Sequence, residues 1–234
     1  MKCAFYLITV FIAIVGWFVL SELYSHGYIT PNAFAADASI ELSLFVPFIV
    51  FSYLLAKGEK LKNIVKDLGL SRKKLTAKNL LIGVLLFGLI LLIEFLIGLF
   101  TTVTGIQLPT NVSTVLAGMP IYFLVFTFLI APIDEEILFR GFLVPKLTAM
   151  ADNLFFAATH RESRSMSEGI GIASSALLFA LPHLLTYASW SEFAAAFAFG
   201  IIAGYFFNRY KSLYTTISAH MLVNFLTIAS MSLL

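Results

Sequence analysis

The chain has 234 residues, of which 60% are hydrophobic and 12% charged, and its mean hydropathy is +0.94. Ordinary soluble domains carry about 25% charged residues, so this composition excludes a soluble globular protein and predicts a polytopic membrane protein. The net charge of +2 is too small to favour a nucleic-acid partner. Cys3 is the only cysteine, so no disulfide can form within the chain.

Apolar segments recur along the whole sequence. A helix needs about 20 apolar residues to cross a bilayer. Seven segments meet or approach this length, namely 3–20, 40–56, 80–103, 112–133, 170–190, 193–207 and 213–234. An eighth segment, 137–150, is too short and too polar to span alone, and we interpret it as re-entrant or interfacial. The predicted fold is therefore all-α, a polytopic transmembrane bundle of about seven to eight helices.

The basic residues are concentrated between the second and third predicted spans. Segment 57–78 carries eight Lys and Arg residues and two acidic ones. Short basic loops stay on the cytoplasmic side, so we expect this loop and the N-terminus in the cytoplasm and the chain in the plasma membrane. Arg209 and Lys211 lie on the same side if 137–150 re-enters, and on the opposite side if it spans. We prefer the first arrangement.

Three consecutive acids and an arginine interrupt the apolar pattern at residues 131–141, which read Ala-Pro-Ile-Asp-Glu-Glu-Ile-Leu-Phe-Arg-Gly. Ionisable groups at membrane depth cost several kcal/mol unless they are paired or hydrated, so they are functional candidates. Glu136 and Arg140 are four residues apart and can pair on one helix face. Glu135 lies about 100° around the helix and is left to face something else. The alternative is a charged cap where a helix ends at the membrane surface.

Two further polar pairs lie inside apolar segments downstream. Phe179 and His183 share one helix face, and so do His220 and Asn224. A single histidine in an apolar helix is usually a hydrogen-bonded core residue. Burying two histidines, an asparagine and Glu135 at separate places in one small bundle would cost free energy, because each side chain would need its own polar partner away from water. We therefore expect the four side chains to converge.

The chemistry open to such a cluster is limited. No Gly-x-Ser-x-Gly elbow and no internal cysteine are present, so a covalent nucleophile is not expected, and no His-Glu-x-x-His zinc helix occurs. A carboxylate beside a histidine can activate water, and a second histidine with an amide can stabilise an oxyanion. This combination favours peptide or amide hydrolysis. Alternatively, Glu135, His183 and His220 can form a zinc site with an open position.

These residues form three short motifs in a fixed order. The motifs are Glu-Glu-x-x-x-Arg at Glu135, Glu136 and Arg140, Phe-x-x-x-His at Phe179 and His183, and His-x-x-x-Asn at His220 and Asn224. Together they resemble the signature of the CPBP family, the CaaX proteases and bacteriocin-processing enzymes also called the Abi family, which includes type II CaaX prenyl endopeptidases resembling the Ras-converting enzyme. The resemblance covers residues 112–234, the expected catalytic helical core, whereas residues 1–111 are expected to supply transmembrane helices and the basic cytoplasmic loop.

The resemblance implies an integral-membrane endopeptidase of the glutamate type. By analogy, Glu135 and His183 activate water, and His220 and Asn224 form the oxyanion site. The supporting residues that the family implies are Glu136, Arg140 and Phe179. Members have often been classed as metalloendopeptidases, so no cofactor is certain and zinc is possible. The implied partners are membrane lipid and a hydrophobic or prenylated peptide or protein substrate, processed in CaaX maturation or in bacteriocin maturation and self-immunity. The polar segment Asp152–Glu168 is interpreted as an unusually long loop.

Two other classes of function fit parts of the pattern. A non-catalytic immunity or scaffold protein can bind a partner through the same bundle. A transporter is a third hypothesis, based on the buried histidines and on Glu94, which lies deep in the third predicted span and can pair with a cation or bind an ion. Gly200 and Gly204, with Ala196, predict a helix face for close packing.

Overall fold

The structure is a computed structural model that describes residues 15–16, 19–20, 22–24, 26–40, 50, 54, 58, 60–105, 112–160 and 163–231. Every regular element in this part of the chain is helical. The predicted spans 3–20 and 40–56 lie largely outside the described residues. The all-α prediction is therefore confirmed for the described part of the chain.

The helices follow one another with short connections. In chain order they are α1 (Pro31–Ile40), α2 (Leu61–Asp67), a 3-10 turn (Arg72–Lys74), α3 (Ala77–Thr104), α4 (Val112–Ala117), α5 (Ile121–Leu129), α6 (Ala131–Glu136), a π-helical segment (Ile137–Leu143), α7 (Val144–Thr159), α8 (Arg164–Tyr187), α9 (Trp190–Tyr210) and α10 (Leu213–Met231).

Three helices of the described chain, α3, α8 and α9, are long and apolar enough to cross a membrane. The longest, α3, has 28 residues and is about 42 Å long, which exceeds the roughly 30 Å of a bilayer's hydrocarbon core. Thr76 caps its start by accepting a hydrogen bond from the Asn79 amide, and Gly105 ends it with φ 69°. An integral membrane protein is thus established, and the number of seven to eight spans stays a prediction.

The segment expected as one span at 112–133 is divided into three helices. Helix α4 ends at Ala117, and α5 begins only after Pro120, which is extended with ψ 149°. A proline disfavours helical conformation in the residue before it, and this separates the two helices. From Ile121 the chain then continues through α5, α6, the π-helical segment and α7 with only a turn at Ile130. Residues 137–150 are therefore the continuation of the acidic stretch and not a separate segment.

The prediction of a long polar loop at Asp152–Glu168 is wrong. Helix α7 continues to Thr159, His160 ends it in the left-handed region at φ 54°, and α8 starts at Arg164. The Ser167 hydroxyl donates to the Asp152 carboxylate at 3.1 Å, so polar side chains join two packed helices instead of marking a loop.

The predicted close packing along α9 is confirmed. A Cβ atom added at Gly200 would lie 2.7 Å from the Ala176 Cβ and 2.8 Å from its Cα, and one added at Gly204 would lie 2.9 Å from Ile172. Contacts this short leave no room for a side chain. The two glycines therefore bring α9 directly against α8, as small residues do at helix interfaces in membranes.

The basic segment and the α9–α10 turn lie at one end of the bundle. The Leu213 amide donates to the Gly69 carbonyl at 3.2 Å, and the Lys74 ammonium donates to the Tyr210 carbonyl at 2.8 Å. Arg209 and Lys211 belong to this turn. They therefore lie at the same end of the bundle as the described part of segment 57–78, and the side of the membrane on which this end lies stays a prediction.

Buried apolar side chains form two clusters in the described chain. The larger one joins α3, the π-helical segment, α8, α9 and α10. The smaller one packs Phe34 of α1 against Leu116, Met119 and Phe123. Residues before position 112 therefore pack directly on the segment that carries the motifs, and the domain boundary at 111/112 stays a prediction.

Candidate active site

The acidic stretch leads from α6 into the π-helical segment, a rare conformation that is frequent at functional sites. Glu136 and Arg140 are almost completely buried, with 0% and 1% of their surface exposed. Their closest oxygen and nitrogen, Oε1 and Nη1, are 2.9 Å apart. The ion pair predicted from their spacing is confirmed, and it is buried rather than placed at a helix end on the surface.

Two aromatic rings enclose the Arg140 guanidinium. Its Cζ atom lies 4.2 Å from the ring centroid of Phe179 and 4.9 Å from that of Phe199. A cation over an aromatic face gains about 2 kcal/mol or more where water is excluded. These contacts, with the Glu136 carboxylate, compensate a charge whose burial alone would be prohibitive.

His220 lies between two carboxylates. Its Nδ1 is 3.1 Å from Glu136 Oε1, and its Nε2 is 3.6 Å from Glu135 Oε2. A carboxylate oxygen accepts a hydrogen bond, so Nδ1 carries the proton and donates it to Glu136. The same Glu136 oxygen thus faces both Arg140 and His220, whereas the spacing in the sequence predicted only the pair with Arg140.

His183 is oriented by its own helix. Its Nδ1 lies 3.0 Å from the Phe179 carbonyl oxygen one turn earlier, so Nδ1 donates and Nε2 is the acceptor of the neutral ring. The preceding Pro182 does not end the helix, since α8 continues to Tyr187. A proline has no N–H and is tolerated inside a membrane helix where neighbouring groups replace the missing hydrogen bond.

Glu135, His183, His220 and Asn224 line one cavity of about 220 Å³. They come from α6, α8 and α10 and are brought together although they span some ninety positions of the chain. The Asn224 amide donates to the Thr127 carbonyl at 2.9 Å, which fixes the side chain against α5 and leaves its second N–H for another acceptor. The structure therefore brings together all four residues that the sequence singles out.

The zinc alternative needs Glu135, His183 and His220 to converge on one point. Among the described residues, no three His, Cys, Asp or Glu side chains are grouped so that they can hold a metal ion. Glu135 and His220 do meet, but no third side chain of these types joins them within the described ranges. The donor set in this arrangement does not fit a metal ion.

The remainder of the cavity wall is mainly apolar. Part of this apolar wall comes from α1, α4 and α5, namely Phe34, Val112, Val115, Leu116, Phe123 and Phe126. Polar residues also contribute, among them Glu94, Tyr187 and Glu192. Glu94, which the sequence places deep in the third span, thus lies on the wall of this same cavity. The cavity can accept an apolar group next to a polar centre.

Phe199 and Thr127 belong to this site but were not predicted from the sequence. Phe199 belongs to an apolar run in which phenylalanine recurs at 193, 197, 199, 206 and 207. Nothing in that run distinguishes the ring that contacts Arg140. Thr127 contributes its backbone carbonyl, and the residue types in the sequence do not indicate which backbone carbonyls make such contacts.

Comparison with known families gives one match. A family model described as Rce1-like, type II CAAX prenyl endopeptidase Rce1-like, matches residues 117–226. Comparisons with curated proteins and with solved structures give no match. The matched segment contains the acidic stretch, the cavity-lining histidines and Asn224. Residues 117–226 are therefore similar to the Rce1-like family of type II CAAX prenyl endopeptidases.

Proposed function

We propose that this chain is an intramembrane endopeptidase that hydrolyses a peptide bond near the C-terminus of a hydrophobic or prenylated substrate by means of an activated water. The observation that carries the proposal is the single cavity lined by Glu135, His183, His220 and Asn224. The match of residues 117–226 to the Rce1-like family supports the same class of reaction.

Water activation is assigned to Glu135 and His183. The Glu135 carboxylate accepts a proton from water, while His183 Nε2, left as an acceptor because Nδ1 donates to Phe179, orients that water. The hydroxide attacks the carbonyl carbon of the scissile bond. The proton then passes to the nitrogen of the leaving amine as the C–N bond breaks, and Glu135 returns to its ionised form.

The oxyanion site is assigned to His220 and Asn224. Because Nδ1 of His220 faces Glu136, its ring orientation is fixed and Nε2 faces Glu135 in the cavity. When the ring is protonated, Nε2–H can donate to the oxygen that gains charge during attack. The N–H of Asn224 that does not contact Thr127 is a second donor. Fixed donors in a site that excludes water are among the strongest catalytic contributions.

The apolar part of the cavity wall supports a hydrophobic substrate. Apolar side chains from α1, α4 and α5 surround the space beyond the polar centre. Burying an apolar chain there is favourable by about 25 cal/mol per Å². A prenylated or otherwise hydrophobic peptide fits this combination, in CaaX-type processing or in bacteriocin or peptide maturation and self-immunity.

We place the protein in the plasma membrane with a cytoplasmic N-terminus and about seven to eight membrane helices. The supporting observation is that the basic segment 57–78 and the turn with Arg209 and Lys211 meet at one end of the bundle. Basic residues are retained on the cytoplasmic side.

Cleavage of a farnesylated CaaX peptide by protein purified in detergent tests the proposal. Glu135→Ala, His183→Ala and His220→Ala are each expected to lower the rate by about 10²–10⁴-fold. His160→Ala is the matched control, because His160 is exposed at the end of α7 and does not line the cavity. Activity that survives all three substitutions in the cavity would contradict the assignment.

A further inference from the structure

Phe199 is the side chain of α9 that contacts the buried ion pair, although α9 contributes none of the three motifs. Its ring centroid lies 4.8 Å from that of His220 and 5.8 Å from that of Phe179. It also lies 4.9 Å from the Arg140 guanidinium carbon, and only 4% of the residue is exposed. One ring therefore touches three residues of the candidate site.

A continuous series of contacts links this ring to the cavity. Phe179 and Phe199 hold Arg140, whose Nη1 is 2.9 Å from Glu136 Oε1. That same oxygen is 3.1 Å from His220 Nδ1. Because these side chains are all almost completely buried, none can move without displacing the next.

The backbone beside Phe199 is held firmly. Gly200 packs so closely on Ala176 that a Cβ atom there would lie 2.7 Å from the Ala176 Cβ. Phe179 lies one turn after Ala176 on the same helix, α8. The close contact between the two helices therefore sets the separation of the two rings, and with it the width of the space that Arg140 occupies.

We propose that Phe199 is a positioning residue, which holds Arg140 and thereby keeps Glu136 on His220 Nδ1 with Nε2 directed at Glu135. A side chain without a ring at 199 leaves one face of the guanidinium uncovered. Arg140 and Glu136 then shift, and His220 loses the acceptor that holds its proton on Nδ1. The kinetic consequence rests on the proposed function, whereas the effect on the His220 ring does not.

The state of the His220 ring can be read directly because the chain has four histidines. In protein with ¹⁵N-labelled histidine, the His220 signals are assigned by their loss in a His220→Gln variant. We expect the wild type to show a hydrogen-bonded Nδ1 proton, and Phe199→Leu to lose it or to mix the two tautomers. Phe199→Tyr keeps the ring and should restore the wild-type signal.

Phe207→Leu is the matched control. Phe207 is equally buried on α9, but its ring lies 5.6 Å from the Lys211 ammonium, away from the cavity. This control should leave the His220 signals unchanged. If Phe199→Leu does not fold, Phe199→Met, which fills the space flexibly without a ring, takes its place with the same expected result. His220 signals that are the same in Phe199→Leu or Phe199→Met as in Phe207→Leu would overturn the proposal.

Kinetics give the second readout. Phe199→Leu should lower kcat by up to about 10²-fold with little change in KM, since a displaced catalytic group costs about that factor. Phe199→Tyr should recover most of the rate. Activity that persists in Glu135→Ala would overturn the proposed function. The positioning role of Phe199 would then still be tested by the NMR signals of His220. Activity lost in Glu135→Ala but unchanged in Phe199→Leu would overturn the positioning role alone.

Discussion

Glu136 and His220, which are 84 positions apart in the chain, meet at 3.1 Å between a carboxylate oxygen and Nδ1. The same oxygen lies 2.9 Å from Arg140. Glu136 is therefore the common partner of the arginine inside the bundle and of the histidine that lines the cavity. This relationship makes Glu136 the residue on which both the stability of the core and the orientation of His220 depend.

Replacing Glu136 by Gln should strongly destabilise the fold. The substitution keeps the shape but leaves the Arg140 charge buried without a counter-ion, and breaking a buried pair in this way costs about 3–5 kcal/mol. The free energy of unfolding, measured by denaturant titration in detergent micelles, checks this value.

Glu168→Gln is the matched control for this measurement. Glu168 forms an ion pair at 3.1 Å with Arg164, four residues earlier on α8, but the Arg164 and Glu168 side chains are 86% and 36% exposed. Exposed pairs contribute at most about 1 kcal/mol. Equal losses of stability in Glu136→Gln and Glu168→Gln would show that the buried ion pair contributes no more to the free energy of unfolding than the exposed one.

Gly200→Val should separate α8 from α9. The new Cβ would lie 2.8 Å from the Ala176 Cα, so the helices must move apart, and overpacking of this kind costs about 1–3 kcal/mol. In contrast, Gly98→Ala on α3 meets no atom within 4 Å and should be neutral or slightly stabilising, because alanine favours helix over glycine. Thermal unfolding of the two variants in detergent measures the difference. A Gly200→Val protein as stable as the wild type would contradict the packing.

The polar centre was predictable because burying charge is costly. Glu136 and Arg140 are four residues apart in an apolar region, so pairing was the arrangement that their burial required. The same reasoning predicted that Glu135, His183, His220 and Asn224 would share one site. The second partner of Glu136 was not predictable, because a contact over 84 positions leaves no local pattern.

The helix boundaries were harder to predict from the sequence. An apolar run such as 112–133 has the same composition whether it is one helix or several, and the break at Pro120 depends on how α4 and α5 pack. In the sequence, polar residues such as Asp152 and Ser167 indicate a loop. In the structure these two side chains form a hydrogen bond between two packed helices. Phe199 was missed for the reverse reason, since one phenylalanine among several gives no sign of what it contacts.

Phe34→Ala should change the length of apolar chain that the cavity accepts. Phe34 is 1% exposed, lines the cavity from α1, and packs on Phe123 with ring centroids 6.2 Å apart. Removing its ring enlarges the cavity at the apolar wall. We expect the ratio of kcat/KM for geranylgeranylated over farnesylated peptide to rise by at least about tenfold, since even one methylene group has an effect of this size in an apolar pocket.

Phe156→Ala is the control for this change in preference. Phe156 lies on α7 with 51% of its surface exposed and does not line the cavity. Its substitution should leave the ratio unaltered. An unchanged ratio in Phe34→Ala, with the protein folded, would contradict the assignment of the apolar wall to the substrate's chain.

Metal content gives an independent prediction. Because Glu135, His183 and His220 do not form a group that can hold a metal, we expect purified active protein to contain much less than one zinc per chain. Cleavage should also persist after dialysis against a chelator. Stoichiometric zinc, together with activity that is lost on chelation and restored by zinc alone, would contradict this prediction.

Glu135 is the residue that we propose activates the water that cleaves the substrate. The most direct measurement is the cleavage rate of a farnesylated CaaX peptide by Glu135→Gln in proteoliposomes, with His160→Gln as the control and protein levels matched. The amide keeps the shape of the side chain but cannot act as the base, so a loss of about 10²–10⁴-fold is expected. A scaffold or a transporter has no need of this base. A Glu135→Gln protein that cleaves the peptide at the wild-type rate would contradict the account.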